Sequence, residues 1–153
     1  MIFKKPELED LPILRKYFEG LEFYNSGYTP GMMYLWAPFY NIEYAIVDDM
    51  VVCRAGKDKK RYSYPIGQGD AKAVLDQIIK ECEKDGTDFE MYGVTKDIEE
   101  KMVALYGDVF EVAYDRDNAD YVYLSEKLIS LSGKKLHSKR NHINRFIANH
   151  EWS

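Results

Sequence analysis

The sequence has little with which to staple itself and no segment suited to crossing a membrane. It holds two cysteines, Cys53 and Cys82, which form no CxxC pair. With no zinc knuckle or disulfide framework to join, both read as reduced, buried thiols on a strand and a helix. The longest apolar run, residues 32–40, is nine residues long and contains Pro38, far short of the roughly 20 that span a bilayer. The amino terminus turns from lysines to acids and Pro6 rather than to an apolar stretch, so no secretory leader is read and a cytoplasmic location is expected. Histidine is absent before residue 137. No spacing matches a zinc site, a catalytic triad or a P-loop, and His137 and His142, five apart, do not share a helical face as metal ligands would.

What is present suits one core. The chain has 153 residues, 46% of them hydrophobic and 14% aromatic, enough for a single domain and too few for two ordinary ones. The net charge of -5 conceals an asymmetry: residues 134–153 carry five Lys/Arg against Glu151, or +4, leaving 16 Lys/Arg and 25 Asp/Glu, or -9, for residues 1–133. An acidic body with a basic end argues against nucleic-acid binding over the whole surface but allows one local anionic contact.

Periodicity predicts a short strand over residues 1–5, then a helix capped by Asp10 with Leu11, Leu14, Tyr17, Phe18 and Leu21 at helical spacing. The aromatic segment 24–40 is broken by Gly27, Pro30, Gly31 and Pro38 into turns around one short helix near 31–36. Strands EYAIV and MVVCR follow, joined by Asp48 and Asp49 as a tight hairpin turn. A third strand, KRYSYPI, is expected to place Tyr62, Tyr64 and Ile66 on one face. The clearest helix runs from Asp70 to Asp85, stopped by Gly86. Beyond it come a strand DFEMYGV, a helix DIEEKMVALY, strands VFEVAY and ADYVYL around the turn DRDN, and a helix over about 128–150. That order predicts an α/β (α+β) domain with a mixed central sheet and helices on both faces. It also resembles the order of the GNAT acyltransferase fold, in which acyl-CoA lies against the loop before the long helix.

Four constellations could carry chemistry. Gly67, Gln68, Gly69 and Asp70, at the start of the long helix, resemble a degenerate GNAT pyrophosphate loop whose backbone N–H groups could cradle phosphate. Asp70, however, would cap those groups itself and set a negative charge where phosphate should sit, so acyl-CoA is disfavoured and no cofactor is expected. Tyr106 resembles the tyrosine that protonates the leaving thiolate in active acetyltransferases. Val109 stands where that pattern has glycine, and the plainer reading is an aromatic packed at a helix end. The carboxylates of residues 115–120, DRDNAD, suit a metal or an acid/base pair, but a polar turn between strands needs the same composition, and no metal is expected. Finally Lys134, Lys135, Lys139, Arg140, Asn141, His142, Asn144 and Arg145 offer cations and amides suited to phosphate or RNA, against the alternative of a solvated charged face.

LSGKKLHSKRNHINRF, with DRDNADYVYL before it and the earlier YLWAPFYNIEYAI, resembles a bacterial family of unknown function grouped with the catalytic domain of phosphatidylglycerol lysyltransferase. The resemblance spans almost the whole chain. It implies a tandem GNAT architecture of the Fem-peptidyltransferase kind, and transfer of an aminoacyl group from charged tRNA to an acceptor by amine acylation. The motif positions carried over are Gly133, Lys134, Lys135, Lys139, Arg140, Asn141, His142, Asn144 and Phe146, the last a packing residue. On this reading residues 1–133 are a GNAT-like domain and 134–153 a basic helix leading to a second half, with aminoacyl-tRNA as a partner and no activity for the first half alone. Two alternatives remain: a non-catalytic ligand-binding or regulatory module, and an acetyl-CoA-dependent N-acetyltransferase.

Overall fold

The computed structural model describes residues 1–21 and 25–151. These divide into two compact units, Met1–Ala119 and Asp120–Ser153. The first is an α+β fold built on β2 (Met50–Ala55), which pairs antiparallel with β1 (Glu43–Val47) along one side and with two short strands, β3 (Arg61–Tyr62) and β4 (Ile66–Gly67), along the other. The β1–β2 turn is the expected one, with Asp48 at φ 51° and Asp49 at φ 54°. Two consecutive left-handed residues match the twist of the strands they join.

β3 and β4 are the expected third strand, interrupted. From Arg54 to Val51 is three steps along β2, but their partners Tyr62 and Ile66 are four apart. The extra residue reverses the side-chain alternation. Tyr62 therefore packs with Met50 and Val52 on one face, while Tyr64 and Ile66 pack with Val51 and Cys53 on the other. The expectation of one shared face is corrected by this bulge. Ser63 holds it in place: its N–H donates to the Cys53 carbonyl, and its Oγ accepts from the Cys53 N–H, both at 2.8 Å.

Helices cover both faces. Against Tyr44, Val51 and Cys53 lie α1 (Leu11–Phe18), α2 (Pro30–Tyr40) and α4 (Lys96–Tyr106), through Leu14, Phe18, Met33, Ile98 and Met102. Against Ala45, Met50 and Val52 lies α3 (Ala71–Asp85), through Val74, Ile78 and Cys82. Leu75 reaches round to the first cluster. Both cysteines are buried, and burial pushes the Cys53 thiol up to about 12 despite its contact with Ser63, so it stays protonated at neutral pH.

Several expected elements differ. α2 runs to Tyr40, past Pro38, because buried Met33 and Ala37 anchor it and Asn41, left-handed at φ 50°, ends it with an N–H bond to the Ala37 carbonyl. Asp10 does not cap α1. It ends a 3-10 turn and accepts from the Glu7 N–H at 2.9 Å and Lys4 Nζ at 2.7 Å. Residues 1–5 and 88–94 each contribute only an isolated bridge, Lys4 with Tyr44 and, in parallel, Tyr62 with Met91. The sheet is thus antiparallel rather than mixed. Residues 109–114 and 119–124 form no strand, since alternation suits a ladder but does not supply a partner. Tyr24, at the start of the aromatic segment, lies outside the described residues.

The last expected helix is two. α5 (Ser125–Ser130) ends at Leu131, left-handed at φ 47°, and Gly133 follows at φ 93° before a 3-10 turn leads into α6 (His137–Asn149). Ser132 and Gly133 are poor helix formers at the junction.

Glu43 and Arg54 face each other across β1 and β2, with Arg54 Nε 2.7 Å from Glu43 Oε2 and Lys60 Nζ at 3.6 Å. Burial works to raise the Glu43 carboxyl, but the Arg54 hydrogen bond and the two cations outweigh it and hold the carboxyl below its usual range. A depressed folded value means that the stabilisation is complete above the unfolded pKa, about 4.3, and is lost as pH falls through the lower folded value. Acid unfolding monitored by circular dichroism should therefore be shallower below pH 4 for Glu43→Gln, which at neutral pH should cost about 0.5 kcal/mol, as a partly exposed pair does.

Candidate functional site

The glycine loop is filled by the chain's own hairpin. A Cβ on Gly67 would lie 2.1 Å from the Asp49 carbonyl oxygen, and one on Gly69 would lie 1.7 Å from that of Asp48. The glycines are required because the β1–β2 turn presses on them. Two of the loop's N–H groups are engaged as well. Gln68 donates to the Asp49 carbonyl at 3.2 Å and Asp70 to Asp48 Oδ2 at 3.3 Å. Asp70 Oδ1 in turn accepts from Lys72 N at 2.9 Å and Ala73 N at 3.2 Å. An incoming phosphate would meet a carboxylate already seated at the start of α3, and like charges at that range repel. Beside the loop opens a cleft of about 490 Å³ lined by Ile13, Tyr17, Leu21, Asp49, Ile66 and Gln68. Tyr17 donates to Asp49 Oδ1 across it at 3.2 Å.

Tyr106, the last residue of α4, lies over the first turns of α3. Its hydroxyl donates to Asp76 Oδ1 at 2.8 Å, its ring meets Phe110 edge-on at 5.5 Å, and Lys72 Nζ stands 4.8 Å from the ring centre. Burial, and then the hydrogen bond to Asp76, push the phenol well above its ordinary range. Asp76 is held low, first by Lys72 and then by Tyr106. A phenol donating to a carboxylate is a proton source only once that bond is broken. Tyr106 and the glycine loop are thus brought to the same end of α3, but through Lys72 and Asp76, which sequence alone did not single out. Their i, i+4 spacing was the available signal.

Residues 115–119 form a turn. Asp115 Oδ1 accepts from Asp117 N at 3.0 Å, its Oδ2 accepts from Asn118 Nδ2 at 2.6 Å, and Ala119 N donates to the Arg116 carbonyl at 3.1 Å. Among the described residues no three His, Cys, Asp or Glu side chains converge as metal ligands.

In the second unit the basic candidates divide by role. Arg140 Nη1 donates to the carbonyls of Leu131 and, at 3.0 Å, Gly133, while Nη2 lies 3.5 Å from His137 Nδ1. Arg140 thereby satisfies carbonyls left open at the end of α5. Asn141 Nδ2 lies 3.2 Å from His137 Nε2. Lys134, Lys135, Lys139 and Arg145 have no acidic partner among the described residues. His142 and Asn144 are exposed on α6, as are Ile143, Phe146 and Ile147, each about half exposed. No described residue of Asp120–Ser153 is buried.

The fold and these groups define an α+β domain with an occluded loop before its long helix and a separate cationic helical unit. The chain belongs to the family of the phosphatidylglycerol lysyltransferase carboxy-terminal region, whose model matches residues 18–153. It is also similar to a crystal structure described as a conserved protein of unknown function from Bacteroides thetaiotaomicron VPI-5482. The TM-score is 0.84 and the identity 34%, over 95% of this chain and 50% of that one. The chain thus spans about half the length of that relative. No curated protein matches it. No described helix is long and apolar enough to cross a membrane.

Proposed function

We propose that this chain is the amino-terminal, GNAT-like half of a bacterial aminoacyl- or acyltransferase of the phosphatidylglycerol lysyltransferase kind, acting in the cytoplasm on an aminoacyl-tRNA donor and inactive without its second half. The observation that carries this reading is the state of the second unit. It pairs a half-exposed apolar row, Ile143, Phe146 and Ile147, with cations that lack acidic partners among the described residues, and none of those residues is buried. A helix presenting both is suited to joining two bodies and meeting an anion at the join. The family match supports the chemical class, and the length of the solved relative supports a missing half.

A second reading, a non-catalytic binding module, is favoured by one observation, the Asp70 carboxylate on the N–H groups that a donor phosphate would need. Calorimetry with acetyl-CoA separates both from an N-acetyltransferase, which alone expects micromolar binding.

The decisive assay compares transfer of labelled amino acid from aminoacyl-tRNA to phosphatidylglycerol by this chain and by the parent chain carrying the remaining half. We expect turnover only from the longer protein, and equal rates would sink the two-half reading. For the RNA interaction, Lys134, Lys135, Lys139 and Arg145 replaced together by Ala should flatten the salt dependence of tRNA binding by about 0.9 log unit for each phosphate no longer neutralised. An unchanged slope would make α6 a structural face. Arg140 is left in place because its removal would open the α5–α6 junction and confuse the result.

A further inference from the structure

Helix α2 has two apolar sides and only one is covered. Met33 and Ala37 are 2% and 4% exposed against the core. Met32, Leu35, Trp36, Phe39 and Tyr40 recur at i, i+3, i+4, i+7 and i+8, the spacing of a continuous strip, and are between 37% and 73% exposed. Trp36 meets Phe39 edge-on at 5.6 Å and Tyr40 at 5.7 Å, so the strip is already a cluster. None of the eleven residues is charged. A helix apolar all round belongs inside a larger body, and a strip of this kind exceeds the scattered apolar residues that a surface ordinarily leaves bare.

We propose that this outward strip of α2 is the surface on which the remaining half of the longer chain docks. The inference rests on the two-half reading and adds to it the place of contact. The solved relative contains as much chain again as the part this one matches, which is enough protein to cover such a strip. Five large apolar side chains can supply much of the roughly 800 Å² per partner that an interface of standard size buries. Charge argues against an anionic lipid surface. Residues 17–53 contain five acids and no Lys or Arg. The loop that meets the end of α2, where Gly56 N donates to the Tyr40 carbonyl, holds three lysines, of which Lys59 and Lys60 are paired with Glu90 and Glu43 and Lys57 adjoins Asp58 in the chain.

Hydroxyl-radical footprinting of the 153-residue chain and of the parent protein carrying the remaining half tests this residue by residue. Labelling of Met32, Trp36, Phe39 and Tyr40 should fall about tenfold in the longer protein, as water is excluded from an interface core, while Ile2 and Leu8 stay unchanged. Leu35→Glu with Phe39→Glu, both exposed in the short chain and therefore compatible with its fold, should restore labelling at Met32 and Trp36. Equal labelling of the strip in a longer protein that does transfer aminoacyl groups would overturn the docking surface and leave the two-half reading standing. A parent gene without a further half would overturn both. Protection of the short chain that grows with its concentration assigns the strip to a second copy, and protection that needs phosphatidylglycerol vesicles assigns it to lipid. Either result overturns the inference.

Discussion

Replacing Gly69 by alanine is expected to destabilise the fold by about 3 kcal/mol, at the upper end of the usual cost of overpacking. The added methyl would meet the carbonyl oxygen of Asp48 at 1.7 Å and its carbon at 2.9 Å. Those are backbone atoms of a tight turn and cannot swing aside as the end of a side chain could. Relief would require the β1–β2 hairpin to lift off the loop, releasing the hydrogen bonds from Gln68 to Asp49 and from Asp70 to Asp48. Urea unfolding followed by circular dichroism should show the midpoint fall by about 1 to 2 M. A midpoint within error of the parent would mean that the loop stands open, as an anion cradle awaiting its ligand should.

The second large effect is expected at Leu75→Ala, again about 3 kcal/mol, from lost burial and the cavity left behind. Leu75 is fully buried, and with the half-buried Ala71 it carries α3 into the cluster formed by α1, α2 and α4 while its neighbours Val74 and Ile78 serve the opposite face of the sheet. Its truncation should loosen the link between the two clusters, so that denaturation monitored at the aromatic residues and at the backbone separates into two curves. Coincident curves with a loss under about 1 kcal/mol would show that the site collapses and refills. Leu35→Ala on the outward strip of α2, by contrast, should change the stability of this 153-residue chain by no more than about 0.5 kcal/mol.

What could be read from sequence was what short-range chemistry decides. Asp70 and Gly86 bracket α3 as expected because a side-chain cap and a left-handed stop act over two or three residues. The Asp48–Asp49 turn was legible for the same reason. Simple alternation puts Tyr62 on the wrong face because its phase depends on Ser63 bonding across to Cys53, which no local pattern records. Sequence understates the length of α2 because a helix with no polar side has no period to read, and because Pro38 looks like a stop although buried Met33 and Ala37 hold the turn. The strands expected over 109–114 and 119–124 have the right alternation, but pairing is a property of two segments. Within the candidate site, the cap at Asp70 was legible, whereas the hydrogen bond from Tyr106 to Asp76 joins side chains 30 residues apart.

The guanidinium of Arg140, folded back on the carbonyls of Leu131 and Gly133, separates two ways of counting charge. In an electric field, all five cations of residues 134–153 pull on the chain. A polyanion bound there as proposed would meet four, Lys134 and Lys135 on the 3-10 turn and Lys139 and Arg145 on α6, with the fifth already engaged as a structural bolt.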